Sequence, residues 1–140
     1  MFSKSCEYAF RAIFYISLHG KNDKKIGIKE ISDSLDLPAP FLAKILQLLV
    51  KQNVLSSMKG PNGGFYIKSL KKISLVDIVE AIDGTDVFDK CTIGLKRCSD
   101  VKPCPIHHLV KDYRNNFKKI LHDKTLAQMI TELENKNTQI

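Results

Sequence analysis

The segment VLSSMKGPNGGFYIK, residues 54–68, limits the possible folds of this chain more than any other stretch. Apolar residues flank a tip of glycine, proline and asparagine, which is the pattern of two antiparallel strands joined by a tight turn. Glycine at the tip lets the backbone approach another molecule closely, because it carries no Cβ. The segment therefore predicts a short β-hairpin with an exposed tip.

Two amphipathic helices are predicted directly before this hairpin. The first covers about residues 28–35 and is broken by Asp36-Leu37-Pro38, and the second covers about residues 39–52. Both carry isoleucine and leucine three or four residues apart, so each has one apolar face. Two short helices joined by a tight turn form a helix-turn-helix. The hairpin directly after them predicts a winged helix rather than a plain helical bundle.

Helices are also predicted on both sides of this unit. One covers residues 6–19 and ends at Gly20. Another begins at Ser74, where the Ser74 hydroxyl and the Asp77 carboxylate can form a capping box, and it ends at Gly84.

A long helix is predicted after Pro105, from residue 106 to about residue 122. Its apolar stripe consists of Leu109, Tyr113, Phe117 and Leu121, with Val110 and Ile120 beside them. A domain of this size has little surface of its own left to cover such a stripe, so we expect burial against a second copy of the chain. A shorter helix over residues 125–134 and a polar tail follow.

The excess positive charge lies entirely in the first half. Residues 1–72 hold 12 Lys or Arg and 5 Asp or Glu, whereas residues 73–140 hold 10 of each, so the net charge of +7 belongs to the first half. A basic half that also carries the helix pair and the hairpin indicates a polyanionic partner, and the winged helix makes double-stranded DNA the expected one. Charge alone would also fit a solvated lysine-rich face.

No apolar run approaches the roughly 20 residues of a membrane span. The N-terminus continues directly into an amphipathic pattern, without the small-residue cleavage site of a signal peptide. We therefore expect a cytoplasmic protein with no membrane partner, whose four cysteines are reduced.

Three of those cysteines lie in one segment, CTIGLKRCSDVKPCPIHH, residues 91–108. They are Cys91, Cys98 and Cys104, and two residues separate Cys104 from His107. Structural zinc sites usually offer C-x2-C or C-x4-C pairs, which this loop lacks, and it contains no redox C-x-x-C. Nothing in the loop resembles a nucleophile with an ordered base, so no enzyme is predicted. Widely spaced thiolates fit an iron–sulfur cluster, whose irons take ligands from different directions, but zinc and an unliganded loop stay open.

These elements together predict a mainly α fold with a small β-hairpin. Residues 1–84 are expected to form a winged helix-turn-helix DNA-binding domain. Residues 85–105 are expected to form a cysteine-rich cluster-binding loop, and residues 106–140 a dimerisation helix with a C-terminal tail.

The stretch LAKILQLLVKQNVLSSMKGPNGGFYI, the helix ending VEAIDG and the three-cysteine loop resemble the IscR/NsrR-type (Rrf-two) winged-helix regulators. The resemblance extends from Tyr8-Ala9 to about Leu133. It implies a homodimeric bacterial transcription factor, a repressor, whose operator affinity is set by an iron–sulfur cluster that senses iron–sulfur status, nitric oxide or redox stress.

The same resemblance implies the cluster ligands. Cys91, Cys98 and Cys104 match the three cluster cysteines of the family. His107 matches the histidine of the IscR branch and implies a [2Fe-2S] cluster, with [4Fe-4S] as the alternative. Glu7 matches the first-helix carboxylate of the nitric-oxide-sensing and redox-sensing branches and is the alternative fourth ligand. We favour His107, because a C-x2-H pair closes locally.

The expected DNA contacts lie on the second helix of the pair and on the hairpin. They are Pro40, Phe41, Lys44 and Lys51 on the helix, and Lys59, Gly60, Asn62 and Gly63 on the hairpin. Ala43 stands where the IscR branch has a discriminating glutamate, so no particular operator is implied. The alternatives are a zinc-bound or cluster-free regulator that senses another signal and, from another class, an iron–sulfur electron-transfer protein.

Overall fold

The computed structural model describes residues 2–96 and 98–136. The helices are α1 (Lys4–His19), α2 (Ile28–Leu35), α3 (Ala39–Lys51), α4 (Leu75–Asp83), α5 (His107–Asp123) and α6 (Leu126–Lys136). Strands β1 (Ser56–Met58) and β2 (Gly64–Tyr66) pair antiparallel, with Ser57 opposite Phe65. The predicted fold class, mainly α with a small hairpin, is confirmed.

Helix α1 forms the centre of the core. It begins at Ser3, whose hydroxyl accepts a hydrogen bond from the Cys6 backbone N–H at 3.1 Å. One face of α1 is apolar and almost fully buried, and α3 and α4 each have such a face as well. The residues of these faces include Ala9, Ala12, Ile13, Ile16, Leu42, Leu46, Leu49, Ile78 and Val79. Each buried isoleucine or leucine side chain contributes about 1.5–3 kcal/mol to folding. The helix-turn-helix is therefore held in position by the packing of α1 and α4.

The turn between α2 and α3 has a defined geometry. Asp36 adopts a left-handed conformation with φ of 52°, and Leu37 after it is buried in the core. The Arg11 guanidinium of α1 donates a hydrogen bond at 2.8 Å to the carbonyl of Leu35, one of the orphan acceptors at the end of α2. Pro38 then occupies the N-cap position of α3.

The hairpin of β1 and β2 forms the wing, and a third segment of the chain pairs with β2. Ile26, which precedes α2, exchanges backbone hydrogen bonds with Phe65 at 2.9 and 2.8 Å. The sequence does not predict this pairing. It holds the wing against the helix pair.

Helix α4 has the predicted capping box of Ser74 and Asp77, and it ends at Gly84 with a φ of 92°. A short 3-10 helix that was not predicted, Leu70–Lys72, lies between the wing and α4.

Helix α6 returns to the first half of the chain. The backbone N–H of Leu75 donates to the carbonyl of Lys124 at 2.9 Å, and the N–H of Leu126 donates to the carbonyl of Ile73 at 2.8 Å. Leu126 is fully buried in the same core as α1 and α4. The end of the chain therefore helps to build the unit that carries the helix-turn-helix.

Helix α5 has one covered side and one open side. Leu121 is buried and Phe117 is half-buried against the core of the same chain, where the sequence analysis assigned both to a stripe covered by a second copy. Leu109, Tyr113 and Ile120 are exposed by 78%, 61% and 49%. The predicted stripe is therefore partly buried and partly exposed, because the C-terminal half of α5 packs against the core of its own chain. Within the described residues, no helix combines the length and the apolar character that crossing a membrane requires.

Candidate nucleic-acid interface and metal centre

The first turn of α3 places the predicted DNA-contact residues in solvent. Pro40 is exposed, and Phe41 is 39% exposed with its ring packed edge-on against Tyr8 at 5.7 Å. Lys44 follows one turn later, and Lys51 lies about 10 Å further along the helix axis. Both lysines are exposed. The apolar face of α3 is buried, so these residues lie on the face that is open to a partner.

The tip of the wing is exposed at Lys59, Gly60 and Asn62. Gly60 has a φ of +107° and no atom within 4 Å of the position of a Cβ, so its surroundings are open. Gly63 differs, because a Cβ there would lie 2.1 Å from the Met58 carbonyl oxygen. The closure of the hairpin itself therefore requires glycine at position 63.

A groove separates α3 from the wing. It is lined by Gln47, Val50, Ser57, Met58, Lys59, Gly64 and Phe65. Gln47 and Ser57 are exposed polar side chains that the sequence analysis missed. The signal for Gln47 was present, since it lies three residues after Lys44 and therefore on the same helix face.

The loop between α4 and α5 gathers the predicted metal ligands in two pairs. Cys91 and Cys104 are both buried, and the Cys104 thiol is one of the groups that lower the pKa of the Cys91 thiol. Burial opposes ionisation of Cys91. The backbone N–H groups of Ile93 and Leu95, the Cys104 thiol and the charge of Arg114 outweigh it, so the pKa of Cys91 lies below its ordinary value.

The second pair is Cys98 and His107. His107 is the first residue of α5 and is 3% exposed, and its Nδ1 lies 3.3 Å from the Cys98 Sγ. Its other nitrogen, Nε2, lies 2.8 Å from the Asp100 Oδ1. Hydrogen bonds from Lys111 and His107 lower the pKa of Asp100 to about 2, so Asp100 is a carboxylate at neutral pH. Histidines that bind metals usually hold a carboxylate with their second nitrogen in this way.

Arg114 contacts the Cys98 sulfur of this pair and was not among the site residues predicted from the sequence. Its two terminal nitrogens lie 3.4 and 3.5 Å from the Cys98 Sγ, and one of them also donates to the Lys90 carbonyl at 3.0 Å. Its Nε is buried without a hydrogen-bond partner among the described residues. Arg114 follows His107 by seven residues, about two turns of α5, and this spacing would have placed both residues on the same face of the helix.

Glu7, the alternative ligand, lies on α1 in solvent. Its carboxylate pairs with Lys4 at 2.7 Å. Its neighbour Cys6 is fully buried. Burial raises the pKa of the Cys6 thiol to about 12, with further contributions from Asp83 and Glu7. Cys6 is therefore a core residue.

Among the residues that the structure describes, no three His, Cys, Asp or Glu side chains converge on one metal position. The 3.3 Å between Cys98 Sγ and His107 Nδ1 is close to the about 3.5 Å that separates two ligands of one tetrahedral metal with bonds of about 2.0–2.3 Å. The orphan Nε of Arg114 indicates that an anion is compatible with this place. The residues present fit a metal group with two separate pairs of ligands and a negative charge.

A helix-turn-helix with a wing, built on an unbroken apolar core, defines the class of winged-helix DNA-binding transcriptional regulators, which are not enzymes. The model of the Rrf2 family, described as iron-dependent transcriptional regulator, matches residues 2–132. The chain therefore belongs to the Rrf2 family.

Curated relatives and solved structures agree with this family. A protein of Aquifex aeolicus assigned as an HTH-type transcriptional regulator is 31% identical over 133 residues, 93% of this chain and 91% of that protein. The HTH-type transcriptional regulator IscR of Erwinia tasmaniensis is 25% identical over 128 residues, 91% of this chain and 76% of that protein.

Two solved structures share the fold. CymR, the global cysteine regulator of B. subtilis, has a TM-score of 0.78 at 17% identity and covers 94% of this chain and 96% of its own. T. potens IscR has a TM-score of 0.76 at 20% identity, with coverages of 100% and 93%.

Proposed function

We propose that this regulator is a cytoplasmic homodimeric repressor whose operator affinity depends on an iron–sulfur cluster held by residues 91–107. The cluster senses iron–sulfur status, nitric oxide or redox stress. The single observation that carries the proposal is the contact chain from Cys98 through His107 to Asp100, with distances of 3.3 and 2.8 Å. A thiol, an imidazole and a carboxylate in this order are the parts of a metal ligand pair with an oriented histidine.

The pairing of the ligands favours a [2Fe-2S] cluster over [4Fe-4S]. In a [2Fe-2S] cluster each iron takes two protein ligands, whereas in a [4Fe-4S] cluster each of four irons takes one. Cys91 with Cys104, and Cys98 with His107, supply two pairs. When bound, such a cluster provides a centre that gains or loses one electron and is destroyed by oxidants.

His107 is the better candidate for the fourth ligand than Glu7. Its Nε2 is held by Asp100, which fixes the ring with Nδ1 towards Cys98. Glu7 is exposed and held by Lys4. We therefore assign Cys91, Cys98, Cys104 and His107 as the ligands.

DNA binding is assigned to α3 and the wing. Lys44, Lys51 and Lys59 are exposed cations that can neutralise phosphates. Pro40 and Phe41 present apolar surface that can contact thymine methyl groups. Gly60, Asn62 and Gly63 bring the wing backbone close to the duplex, and Gln47 in the groove can pair with adenine.

The dimer is assigned to the open side of α5. Leu109, Tyr113 and Ile120 are large apolar residues exposed on one helix, and a second copy can bury them. A two-fold dimer would present two copies of α3 to a two-fold operator.

The test is an anaerobic preparation with iron, sulfide and zinc analysis and a visible spectrum. Iron with sulfide at a ratio of one to one, and visible charge-transfer bands, are expected. A colourless protein that contains zinc would contradict the cluster and favour the zinc-bound alternative.

Single substitutions then test the individual ligands. Cys98→Ala should abolish the cluster, whereas His107→Ala should leave one that decays faster, because three thiolates remain. Glu7→Ala is the matched control and should leave spectrum and lifetime unchanged. If the cluster decayed faster in Glu7→Ala but at the wild-type rate in His107→Ala, Glu7 and not His107 would be the fourth ligand.

A further inference from the structure

Arg114 joins two parts of the cysteine loop to α5. One terminal nitrogen donates to the Lys90 carbonyl, just before Cys91, and both terminal nitrogens lie within 3.5 Å of the Cys98 sulfur. The Cys98–His107 pair lies at the beginning of α5 and Arg114 two turns later. A single side chain therefore holds the first half of the loop along the first half of this helix.

The chemistry of this contact depends on the charge of the sulfur. A guanidinium donates charge-assisted hydrogen bonds, which are about twice as strong as neutral ones when the acceptor is an anion. Hydrogen bonds and positive charge at ligand sulfurs favour the state of an iron–sulfur cluster that carries one more electron. Among the described lysines and arginines, Arg114 is the one that donates to Cys98, and Lys111 donates to Asp100 instead.

The orphan Nε of Arg114 supports the same interpretation. It is buried with no partner among the described residues, which costs free energy unless something compensates. The cavity beside it, about 380 Å³, is lined by Phe2, Phe88, Cys91, Tyr113 and Phe117 among others. In this mostly apolar surrounding, a positive charge next to Cys98 is stabilised best by a negative one.

We propose that Arg114 is the positioning residue of the cluster loop, with two roles. It closes the loop onto α5 through Lys90 and Cys98 in the cluster-free chain. It also stabilises the reduced state of the cluster through the Cys98 sulfur, a second role that rests on the proposed function.

The first role is tested on cluster-free protein by limited trypsin digestion, with cleavage after Lys96 followed by mass spectrometry. Loss of a hydrogen bond to a charged group should open the loop, so Arg114→Met should be cut about tenfold faster than wild type. Lys119→Met is the matched control, because Lys119 is an exposed cation of the same helix that pairs with Asp123. It should be cut at the wild-type rate.

Arg114→Lys separates geometry from charge. A single ammonium group cannot reproduce the fork that reaches both the Lys90 carbonyl and the Cys98 sulfur. We expect fast cleavage in this variant as well, with an unchanged thermal unfolding midpoint in all three. Wild-type cleavage rates in both Arg114 variants would overturn the first role, and a lowered unfolding midpoint would assign the change to the fold instead.

The second role is tested by a redox titration of the cluster-loaded protein, in which dithionite supplies the electron. Arg114→Met should shift the one-electron reduction equilibrium about tenfold towards the oxidised cluster, which is about 59 mV. Arg114→Lys should recover part of this shift, because it keeps the charge. An unchanged potential in Arg114→Met overturns the second role, whereas a wild-type chain that forms no cluster contradicts the proposed function and leaves the trypsin result valid.

Discussion

The DNA-binding unit and the cysteine loop of this molecule are stabilised in different ways. In α1, α3 and α4, most apolar side chains are buried in one continuous core or pack against it. In the loop, Ile93, Leu95 and Val101 are exposed by 50%, 52% and 89%. Besides the buried Cys91 and Cys104, the loop is held by a few polar contacts of Arg114, His107 and Asp100.

This difference suits a sensor. A region with few buried apolar contacts opens at low cost, whereas a region built on a packed core does not. A change of state at the loop can therefore occur while the helix-turn-helix stays folded. The following predictions test this contrast, from the largest expected effect to the smallest.

Equivalent truncations in the two regions should differ most. Leu46→Ala in α3 removes a fully buried side chain and should lower the free energy of unfolding by about 2–5 kcal/mol. Leu95→Ala in the loop removes a half-exposed one and should change it by less than about 0.5 kcal/mol. Urea denaturation of cluster-free protein measures both, and equal losses would mean that the loop shares the core's stability.

The thiols of the two regions should differ in reactivity. The raised pKa of Cys6, about 12 against an ordinary 9.0, lowers its thiolate fraction at pH 8 about 1000-fold. Its reactivity should rise only as the pH approaches 12, whereas the lowered pKa of Cys91 should make that thiol reactive at a lower pH than an ordinary cysteine.

Alkylation of cluster-free protein with iodoacetamide, followed by mass spectrometry, compares the two thiols. In about 8 M urea the chain is unfolded and both thiols should react alike, which controls for differences in the intrinsic reactivity of the two cysteines. Equal native rates for Cys6 and Cys91 would show that the loop is as closed as the core.

A charge on the open side of α5 should disrupt the proposed dimer without affecting the core. Leu109→Asp changes a residue that is 78% exposed and should weaken association about 30-fold, the effect of a hot spot worth about 2 kcal/mol. Asn115→Asp adds the same charge to the same helix away from the exposed stripe and should leave association unchanged. Sedimentation measures both, and an unaffected dimer in Leu109→Asp would place the interface elsewhere.

The smallest effect is expected at the wing. Lys59→Ala should weaken DNA binding a few-fold and reduce the slope of log affinity against log salt by about 0.9, the contribution of one phosphate contact. Lys119→Ala, a cation outside the DNA-binding unit, is the control and should change neither. Binding titrations at several salt concentrations measure the slope, and a slope unchanged by Lys59→Ala removes the wing lysine from the interface.

The elements of the fold were predictable because their signals are local. The hairpin tip, the break at Asp36-Leu37-Pro38 and the capping box of Ser74 with Asp77 all lie within a few residues of the structure they specify. The pairing of Ile26 with Phe65 was not predictable, because a single bridge between residues far apart leaves no periodic pattern. The burial of Leu121 likewise depends on where α5 lies.

The candidate site was predictable by residue type but not by arrangement. The resemblance implies Cys91, Cys98, Cys104 and His107, yet the sequence cannot say which ligands face each other, because the loop has no regular geometry. Arg114 lies sixteen residues after the sulfur that it contacts, in a helix whose role was assigned to dimerisation alone. Such a contact depends on a side-chain conformation.

The backbone hydrogen bonds that join Lys124 to Leu75 and Leu126 to Ile73 fix one end of α5 relative to the start of α4. The C-terminal end of α5 is anchored at the Lys124 carbonyl, while its other end carries His107. Its 17 residues span about 25 Å. A tilt of about 5° around the anchor would move His107 by about 2 Å. A change in the distance between Cys98 Sγ and His107 Nδ1 would therefore tilt α5 and displace its exposed face.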